Sequence, residues 1–107
     1  MDRNYMMVLT TTSSEKEAEK ISEELIEQNL GACVQVYGPI KSTYSWKGSI
    51  EKSEEWMCFI KTRSDKFDDV EKKIKELHSY ETPEIIALPI IEASKEYLRW
   101  IDENLRR

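Results

Sequence analysis

The sequence is poor in the residues that build compact enzyme sites and covalent frameworks. Its 107 residues include one histidine, two cysteines, three glycines and three prolines. Two cysteines do not make a disulfide framework, and reduced thiols are the expectation for a chain without a secretory signal. One histidine, with no Gly-x-Ser-x-Gly or HExxH motif, provides no nucleophile, base and orienting group in sequence. We therefore do not expect an enzyme.

A basic excess and a long apolar run are also missing. Sixteen Lys and Arg residues are interleaved with 21 Asp and Glu residues, and the formal net charge is −5. Nucleic-acid binding needs a clustered basic face, so nucleic acid is not an expected partner. No stretch approaches the roughly 20 apolar residues of a membrane span. Residues 1–4 lead directly into a strand-like segment with no signal-peptide pattern, so we expect a cytoplasmic protein without a membrane partner.

The segments that are present alternate between strand and helix patterns. Three segments have a strand pattern, and the middle one is long enough for two strands: 5–9, 32–63 and 85–91. A tight turn is predicted at Lys47-Gly48, and a bulge or bend at Gly38-Pro39. Pro89 cannot donate a ladder hydrogen bond, which favours a sheet edge for the last strand.

Three helices are predicted between and after these strands. Ser14 and Glu17 form a capping box at the start of the first helix, and Gly31 is its expected left-handed stop. The second helix starts near Asp65, and Ser94 caps the third. Their apolar stripes are Ala18, Ile21, Leu25 and Leu30; Phe67, Val70, Ile74 and Leu77; and Tyr97, Leu98, Ile101 and Leu105. The order βαββαβ, with a C-terminal helix, predicts one α+β domain over residues 1–107, a ferredoxin-like sandwich.

The sheet has more apolar surface than one chain can cover. In the third strand Trp56, Cys58 and Ile60 alternate with Met57 and Phe59. The fourth strand is apolar at both odd- and even-numbered positions. Two helices cover only one face of such a sheet. In addition, an extended segment from Cys33 to Trp46 would span on the order of 45 Å, about twice the length of a 15-residue helix. The hairpin should overhang its own domain, which predicts a homo-oligomer.

The two cysteines are not expected to pair. A two-residue turn at Lys47-Gly48 places Cys33 opposite Thr62 and Cys58 opposite Tyr37. A bulge shifts this register by about one residue, which is too little to bring the thiols together. A buried cysteine that behaves as a small hydrophobic residue is the favoured interpretation.

Several motifs resemble those of the divalent-cation tolerance (CutA) family over essentially the whole chain. They are Gly31-Ala32-Cys33-Val34, Tyr44-Ser45-Trp46-Lys47-Gly48, Lys61-Thr62, Leu77-His78-Ser79-Tyr80-Glu81-Thr82-Pro83-Glu84 and Tyr97-Leu98-Arg99-Trp100. The resemblance implies a ferredoxin-like homotrimer in which the long hairpins pair between subunits. It also implies a role in cytosolic tolerance of copper and other divalent cations, with no established reaction.

The metal ligands that the resemblance implies are only partly present. Some family members are thought to bind copper through a cysteine ending the first strand and two adjacent histidines after the second helix. The corresponding residues here are Thr10, Leu77 and His78. His78 is thus the candidate ligand for copper or zinc at modest affinity. The plainer interpretation, which we favour, is that His78 ends the second helix and interacts with its dipole.

Five further residues are candidates for binding a small ligand: Cys33, Trp46, Lys61, Tyr80 and Glu84. The resemblance implies that Lys61, Tyr80 and Glu84 meet around a cleft between subunits, where small molecules often bind. Their alternative role is a structural network, and Trp46 is most simply an interface anchor.

Three classes of function therefore remain at the level of sequence. The first is a trimer that binds divalent cations and serves in the metal ion response. The alternative is a small-molecule or nucleotide-sensing signalling trimer without a high-affinity metal site, which rests on similarity of fold alone. The third is a scaffold that anchors a partner protein.

Overall fold

A computed structural model describes residues 5–106. The four strands are β1 (Tyr5–Thr12), β2 (Cys33–Trp46), β3 (Ser49–Arg63) and β4 (Ile86–Pro89). The three helices are α1 (Glu15–Glu27), α2 (Phe67–Leu77) and α3 (Lys95–Asn104), and a 3-10 turn, Ser64–Lys66, precedes α2. The predicted ferredoxin-like βαββαβ order with a C-terminal helix is confirmed. The interpretation of residues 1–4 lies outside the described residues.

The strands form one antiparallel sheet in the order β2-β3-β1-β4. β4 is an edge strand, as Pro89 predicted, and it is four residues long rather than seven. β1 extends to Thr12 rather than ending at residue 9, so Thr10, Thr11 and Thr12 are buried strand residues. No described helix is long and apolar enough to span a membrane.

A bulge in β2 changes the register of the long hairpin. Tyr37 pairs with Met57 and Ile40 with Glu55, so β2 contains one more residue than β3 between these pairs. Cys33 consequently pairs with Lys61, and Cys58 pairs with Val36, which confirms the predicted one-residue shift and the absence of a disulfide. Gly38 lies in the bulge, where an added Cβ atom would clash with the indole ring of Trp56, so only glycine fits.

The first face of the sheet, defined by the β3 residues Trp56, Cys58, Ile60 and Thr62, packs against α1 and α2. The fully buried core there includes Val8, Ile21, Leu25, Cys58, Ile60, Val70 and Ile74. Burying several large aliphatic side chains stabilises this layer by roughly 1.5–3 kcal/mol for each. The predicted stripes of α1 and α2 supply it.

The second face carries the β3 residues Met57, Phe59 and Lys61 and is only partly covered. α3 packs there through Ile101 and Leu105 against Ala32 and Tyr5. Ile86 and Leu88, which share this face through their register with β1 and β3, remain 46% and 44% exposed. The apolar excess predicted for the sheet is therefore present on this face.

The end of α1 differs from the prediction. The helix ends in a Schellman motif in which Leu30 N–H bonds to Leu25 O at 2.9 Å and Asn29 N–H to Ile26 O at 3.1 Å. Asn29, with φ 58°, is the left-handed residue, so the expected stop at Gly31 is wrong. Gly31 instead lies in a closely packed position, where an added Cβ would be 3.2 Å from Ile60 Cγ2.

Candidate functional site

The loop that follows α2 is organised around the buried His78 side chain. His78 Nε2 lies 2.7 Å from Thr11 O, and Tyr80 N–H donates to Nδ1 at 3.0 Å. Since a carbonyl oxygen only accepts, Nε2 carries the proton and donates, and the ring is the neutral Nε2–H tautomer. The side chain is 0% exposed. His78 also ends α2, as its plainer interpretation held, with its N–H bonded to Ile74 O.

Glu17 holds the same loop from the start of α1. Ser14 Oγ accepts the Glu17 N–H at 3.1 Å, which confirms the predicted N-cap. The Glu17 carboxylate does not close the capping box on Ser14. It accepts the Ser79 N–H at 2.7 Å and the Ser79 hydroxyl at 3.0 Å instead. The first turn of α1 is thereby tied to the segment after α2, across 62 positions of sequence.

Glu17 of α1 and His78 of this loop are two possible metal ligands that lie close together. Glu17 Oε2 lies 3.6 Å from His78 Nδ1. A cation at His78 would have to replace the Tyr80 N–H on Nδ1, with the Glu17 carboxylate as a second ligand. Metal sites normally need three or four ligands. Within residues 5–106 no group of three His, Cys, Asp or Glu side chains is arranged to hold a metal ion.

Tyr80 extends the network to the second face of the sheet. Its hydroxyl donates to Glu55 Oε2 at 2.8 Å, and Ser42 Oγ donates to Glu55 Oε1 at 2.6 Å. Burial of the phenol, followed by its hydrogen bond to the Glu55 carboxylate, raises the pKa of Tyr80 to about 12. Tyr80 therefore stays protonated and serves as a donor at neutral pH. The loop, β2 and β3 are joined at this point.

Lys61 lies in a second cluster on the same face, nearer α3. Lys61 Nζ donates to Gln35 Oε1 at 2.7 Å and lies 5.8 Å from the centre of the Tyr97 ring. The Tyr97 ring stacks on Trp100, with centroids 5.5 Å apart and an interplanar angle of 18°. Cys33, half-buried, is the β2 partner of Lys61 in the ladder. Lys61, Gln35, Tyr97 and Trp100 are called the Lys61 cluster below.

Trp46 and Glu84, the remaining predicted residues, lie away from both the His78–Tyr80 network and the Lys61 cluster. Trp46 is 59% exposed at the hairpin tip, with Lys47 Nζ 5.7 Å from its ring. Glu84 is exposed and makes no hydrogen bond or ion pair with another residue of the described range 5–106. A single chain thus pairs Cys33 with Lys61 but does not gather Lys61, Tyr80 and Glu84. Their meeting in a cleft between subunits stays a prediction.

The two cysteines differ in chemistry. Burial raises the pKa of the Cys58 thiol to about 11, with a smaller opposing contribution from its hydrogen bond to Ser22. Cys58 is fully buried in the helix-covered core, whereas Cys33 is half-buried on the second face. The interpretation as a small hydrophobic residue is therefore confirmed for Cys58, and Cys33 is the less buried of the two cysteines.

Comparison with known proteins agrees with this architecture. A family model described as CutA1 divalent ion tolerance protein matches residues 6–104. The chain belongs to the CutA1 family. The Divalent-cation tolerance protein CutA of Archaeoglobus fulgidus is 46% identical over 101 residues, which cover 94% of this chain and 98% of that protein. The Thermus thermophilus protein of the same description is 40% identical over 98 residues, 92% of this chain and 95% of its own.

Solved CutA1-family structures have the same fold. The structure described as the periplasmic divalent cation tolerance protein CutA from A. fulgidus superposes with a TM-score of 0.92 at 44% identity, covering 94% of this chain and 98% of that one. The T. thermophilus CutA1 structure gives a TM-score of 0.91 at 39% identity, covering 94% and 97%. The resemblance inferred from the motifs is confirmed.

Sequence reasoning did not assign three residues to the His78–Tyr80 network or the Lys61 cluster: Glu17, Gln35 and Glu55. Glu17 was assigned to a local capping box, and Glu55 lies in a run of charged residues that resembles an ordinary solvated strand. Gln35 becomes visible only when the register places it on the same β2 face as Cys33. The one available signal was a polar residue that alternation places on the same face of the sheet as apolar residues such as Phe59.

Proposed function

We propose that this protein is a cytoplasmic homotrimer that binds divalent cations such as copper and takes part in the metal ion response, without enzymatic activity. The observation that carries the proposal is the match of residues 6–104 to a family described by divalent ion tolerance. The relatives from A. fulgidus and T. thermophilus have the corresponding description.

Self-association is supported by the uncovered second face. Ile86 and Leu88 are about half exposed there, and the β2 aromatic residues Tyr37, Tyr44 and Trp46 continue the same face along the hairpin at 67%, 44% and 59% exposure. The described chain measures 46 Å in its longest direction but only 26 and 22 Å in the others, so the hairpin extends beyond the helices. A second and third copy would remove this apolar surface from water.

The assembly is tested by sedimentation equilibrium and light scattering at micromolar concentration. The proposal expects one species of three times the chain mass, and Leu88→Glu should shift it toward smaller species. A control, Glu71→Gln on the outer side of α2, should leave the mass unchanged. A folded monomer at these concentrations would contradict the trimer.

Cation binding is supported by the Glu17–His78 pair. Imidazole nitrogen suits Cu²⁺ and Zn²⁺, and a carboxylate 3.6 Å from Nδ1 provides a second ligand if the Tyr80 N–H is displaced. Two ligands and one hydrogen bond to break imply modest affinity. A third ligand would have to come from water or another copy.

Calorimetric titration with Cu²⁺ and Zn²⁺ tests the cation site. His78→Gln can still donate to Thr11 O but cannot bind metal through Nδ1, and we expect its affinity for Cu²⁺ to fall by about ten-fold or more. Glu17→Gln should weaken binding less, and Glu71→Gln not at all. Identical isotherms for wild type and His78→Gln would contradict a site at this histidine.

The cytoplasmic location is supported by two thiols that are both free in the structure. Fractionation of cells that produce the full chain tests it. Recovery from an extracytoplasmic fraction would contradict this part of the proposal and leave cation binding untouched.

A further inference from the structure

The one ring nitrogen of His78 that can bind a cation is already hydrogen-bonded in the folded chain. Nε2 carries the proton and donates to Thr11 O at 2.7 Å, so the free lone pair of the ring is on Nδ1. Nδ1 accepts the Tyr80 N–H at 3.0 Å, and the His78 side chain is 0% exposed. A cation can therefore reach Nδ1 only after Tyr80 has moved away.

The Tyr80 side chain fixes this residue in place as well as its backbone does. Its ring lies against the imidazole of His78, with centroids 4.8 Å apart and an interplanar angle of 47°. Its hydroxyl donates to Glu55 Oε2 at 2.8 Å, and a hydrogen bond to a carboxylate is stronger than one between neutral groups. Glu55 is 8% exposed and is itself held by the Ser42 hydroxyl, which donates to Oε1 at 2.6 Å. Tyr80 thus joins the His78 ring to a buried carboxylate on β3.

The backbone around Tyr80 provides no other restraint of this strength. Residues 78–85 form neither helix nor strand, so no ladder of backbone hydrogen bonds holds them. Within residues 5–106 the hydrogen bonds of Tyr80 are those to His78 and Glu55. Glu17 Oε2 already lies 3.6 Å from Nδ1, so the second candidate ligand needs no large movement. Opening the site is therefore mainly a movement of Tyr80.

We propose that Tyr80 closes the candidate cation site and that the Glu55 carboxylate holds Tyr80 in the closed position. The inference rests on the proposed cation binding at the Glu17–His78 pair and adds what limits its affinity. Tyr80 and Glu55 are positioning residues, because they act on His78 Nδ1 and supply no ligand. Opening requires the Tyr80 hydroxyl to exchange Glu55 for water. Weakening the Tyr80–Glu55 bond should therefore strengthen cation binding while it weakens the fold.

Calorimetric titration of the full, assembled chain with Zn²⁺ tests the closure. Tyr80→Phe keeps the ring and the N–H and removes only the bond to Glu55. We expect this variant to bind Zn²⁺ about ten-fold more tightly than the wild type, which corresponds to one charge-assisted hydrogen bond. Its urea midpoint should fall, because the same bond stabilises the folded chain. A merely structural role of Tyr80 would lower both the Zn²⁺ affinity and the midpoint.

Glu55→Gln weakens the same hydrogen bond from the β3 side. The Zn²⁺ affinity gained through Glu55→Gln should be larger in the wild type than in the Tyr80→Phe background, by about three-fold or more, because the bond is already absent in that background. Comparing the two backgrounds cancels any long-range effect of the Glu55 charge on the cation. Tyr44→Phe is the matched control, since the Tyr44 hydroxyl makes no hydrogen bond with another residue of the range 5–106. It should leave the Zn²⁺ affinity unchanged.

The single histidine separates failure of the closure from failure of the cation site. Long-range ¹⁵N NMR reports the ring nitrogens of His78 without ambiguity, because the chain has no other histidine. If Zn²⁺ moves the Nδ1 signal but Tyr80→Phe binds no more tightly than the wild type, the closure is overturned and the cation site stands. If the Nδ1 signal moves in neither protein, both are overturned. A signal that moves at lower Zn²⁺ concentration in Tyr80→Phe supports both.

Discussion

The two faces of the sheet are completed by different means. On the first face α1 and α2 exclude water from a continuous aliphatic core, and residues such as Ile60 and Ile74 are fully buried. On the second face α3 covers one end, an ion-pair group fixes it, and the remainder stays half exposed. The difference indicates that the first face holds the core that folds the chain, while the second leaves apolar surface for the proposed assembly.

The attachment of α3 shows how the second face is partly covered. Ile101 is the only fully buried residue of this helix, and Leu105 just after it is nearly so, so apolar contact alone is limited. Asp102, next to Ile101, accepts hydrogen bonds from both Arg63 and Tyr5, at 2.9 and 2.8 Å. A charge-assisted bond thus supplements a small apolar contact, and it positions Tyr97 and Trp100 over the sheet.

The largest difference in the free energy of unfolding should come from truncating one apolar side chain on each face. Ile60→Ala removes a fully buried side chain from the first face and should lower the free energy of unfolding by about 2–5 kcal/mol. Leu88→Ala, 44% exposed on the second face, should cost less than about 1 kcal/mol when a single copy dominates. Urea unfolding at two protein concentrations measures both. Equal losses at low concentration would remove the distinction between the faces.

Concentration sharpens the same experiment. If copies cover the second face, the cost of Leu88→Ala should grow with protein concentration, whereas that of Ile60→Ala should not. If the stability cost of Leu88→Ala did not change with protein concentration, this face would stay uncovered.

The next largest effect is expected at the ion-pair group. Arg63→Met removes a cation that bonds to both Asp65 and Asp102, and the Arg63 side chain is 9% exposed, so we expect a loss of about 3 kcal/mol. Lys75→Met is the control, since its pair with Glu71 at 3.2 Å lies at the surface, and it should cost less than about 0.5 kcal/mol. Chemical denaturation followed by the Trp100 environment reports the detachment of α3. Similar losses in the two variants would argue against this anchor.

A smaller effect concerns acid stability. The Arg63 hydrogen bond lowers the pKa of Asp65, so this carboxylate stabilises the fold above the ordinary Asp value of about 3.9 and loses that contribution as pH falls further. Asp65 is 49% exposed, which limits the contribution to less than about 1 kcal/mol. Asp65→Asn should therefore be less stable than wild type at pH 7, and the two should converge once the pH falls below the lowered pKa of Asp65. A difference that persists unchanged in acid would contradict this linkage.

Thiol alkylation should have the smallest effect on stability. It compares the environments of Cys33 and Cys58 directly. Iodoacetamide at pH 8 should modify Cys33 first. Cys58, with a pKa of about 11 and no exposed surface, should react only as fast as the protein unfolds. Peptide mass spectrometry measures both rates, and the unfolded protein in urea serves as the control. Comparable rates in the folded protein would contradict the closed first face.

The elements and their order could be predicted because they depend on local patterns. The apolar stripes of α1 and α2, the Ser14 and Ser94 caps and the one-residue shift at the bulge all follow from residues close in sequence. The left-handed stop at Asn29 was missed because Gly31, the usual residue for this conformation, lies two positions later.

The candidate sites could be predicted only in part because their hydrogen bonds join residues that are far apart in sequence. Motifs pointed to His78, Lys61 and Tyr80, but Glu17 was assigned to its own helix end rather than to Ser79. The choice depends on where the loop after α2 lies, which no local pattern specifies. The Lys61–Gln35 bond likewise needs the register of β2 and β3.

The extra residue in β2 has a consequence for the length of the arm. Because side chains alternate, an insertion of one residue between Tyr37 and Ile40 puts even-numbered residues in phase with odd-numbered ones, so that Tyr44 and Trp46 lie on the same side as Cys33 and Gln35. Deleting a single residue there would turn the whole distal half over and send its aromatic rings to the opposite side. Changes in the arm should therefore be tolerated in steps of two residues and rejected in steps of one.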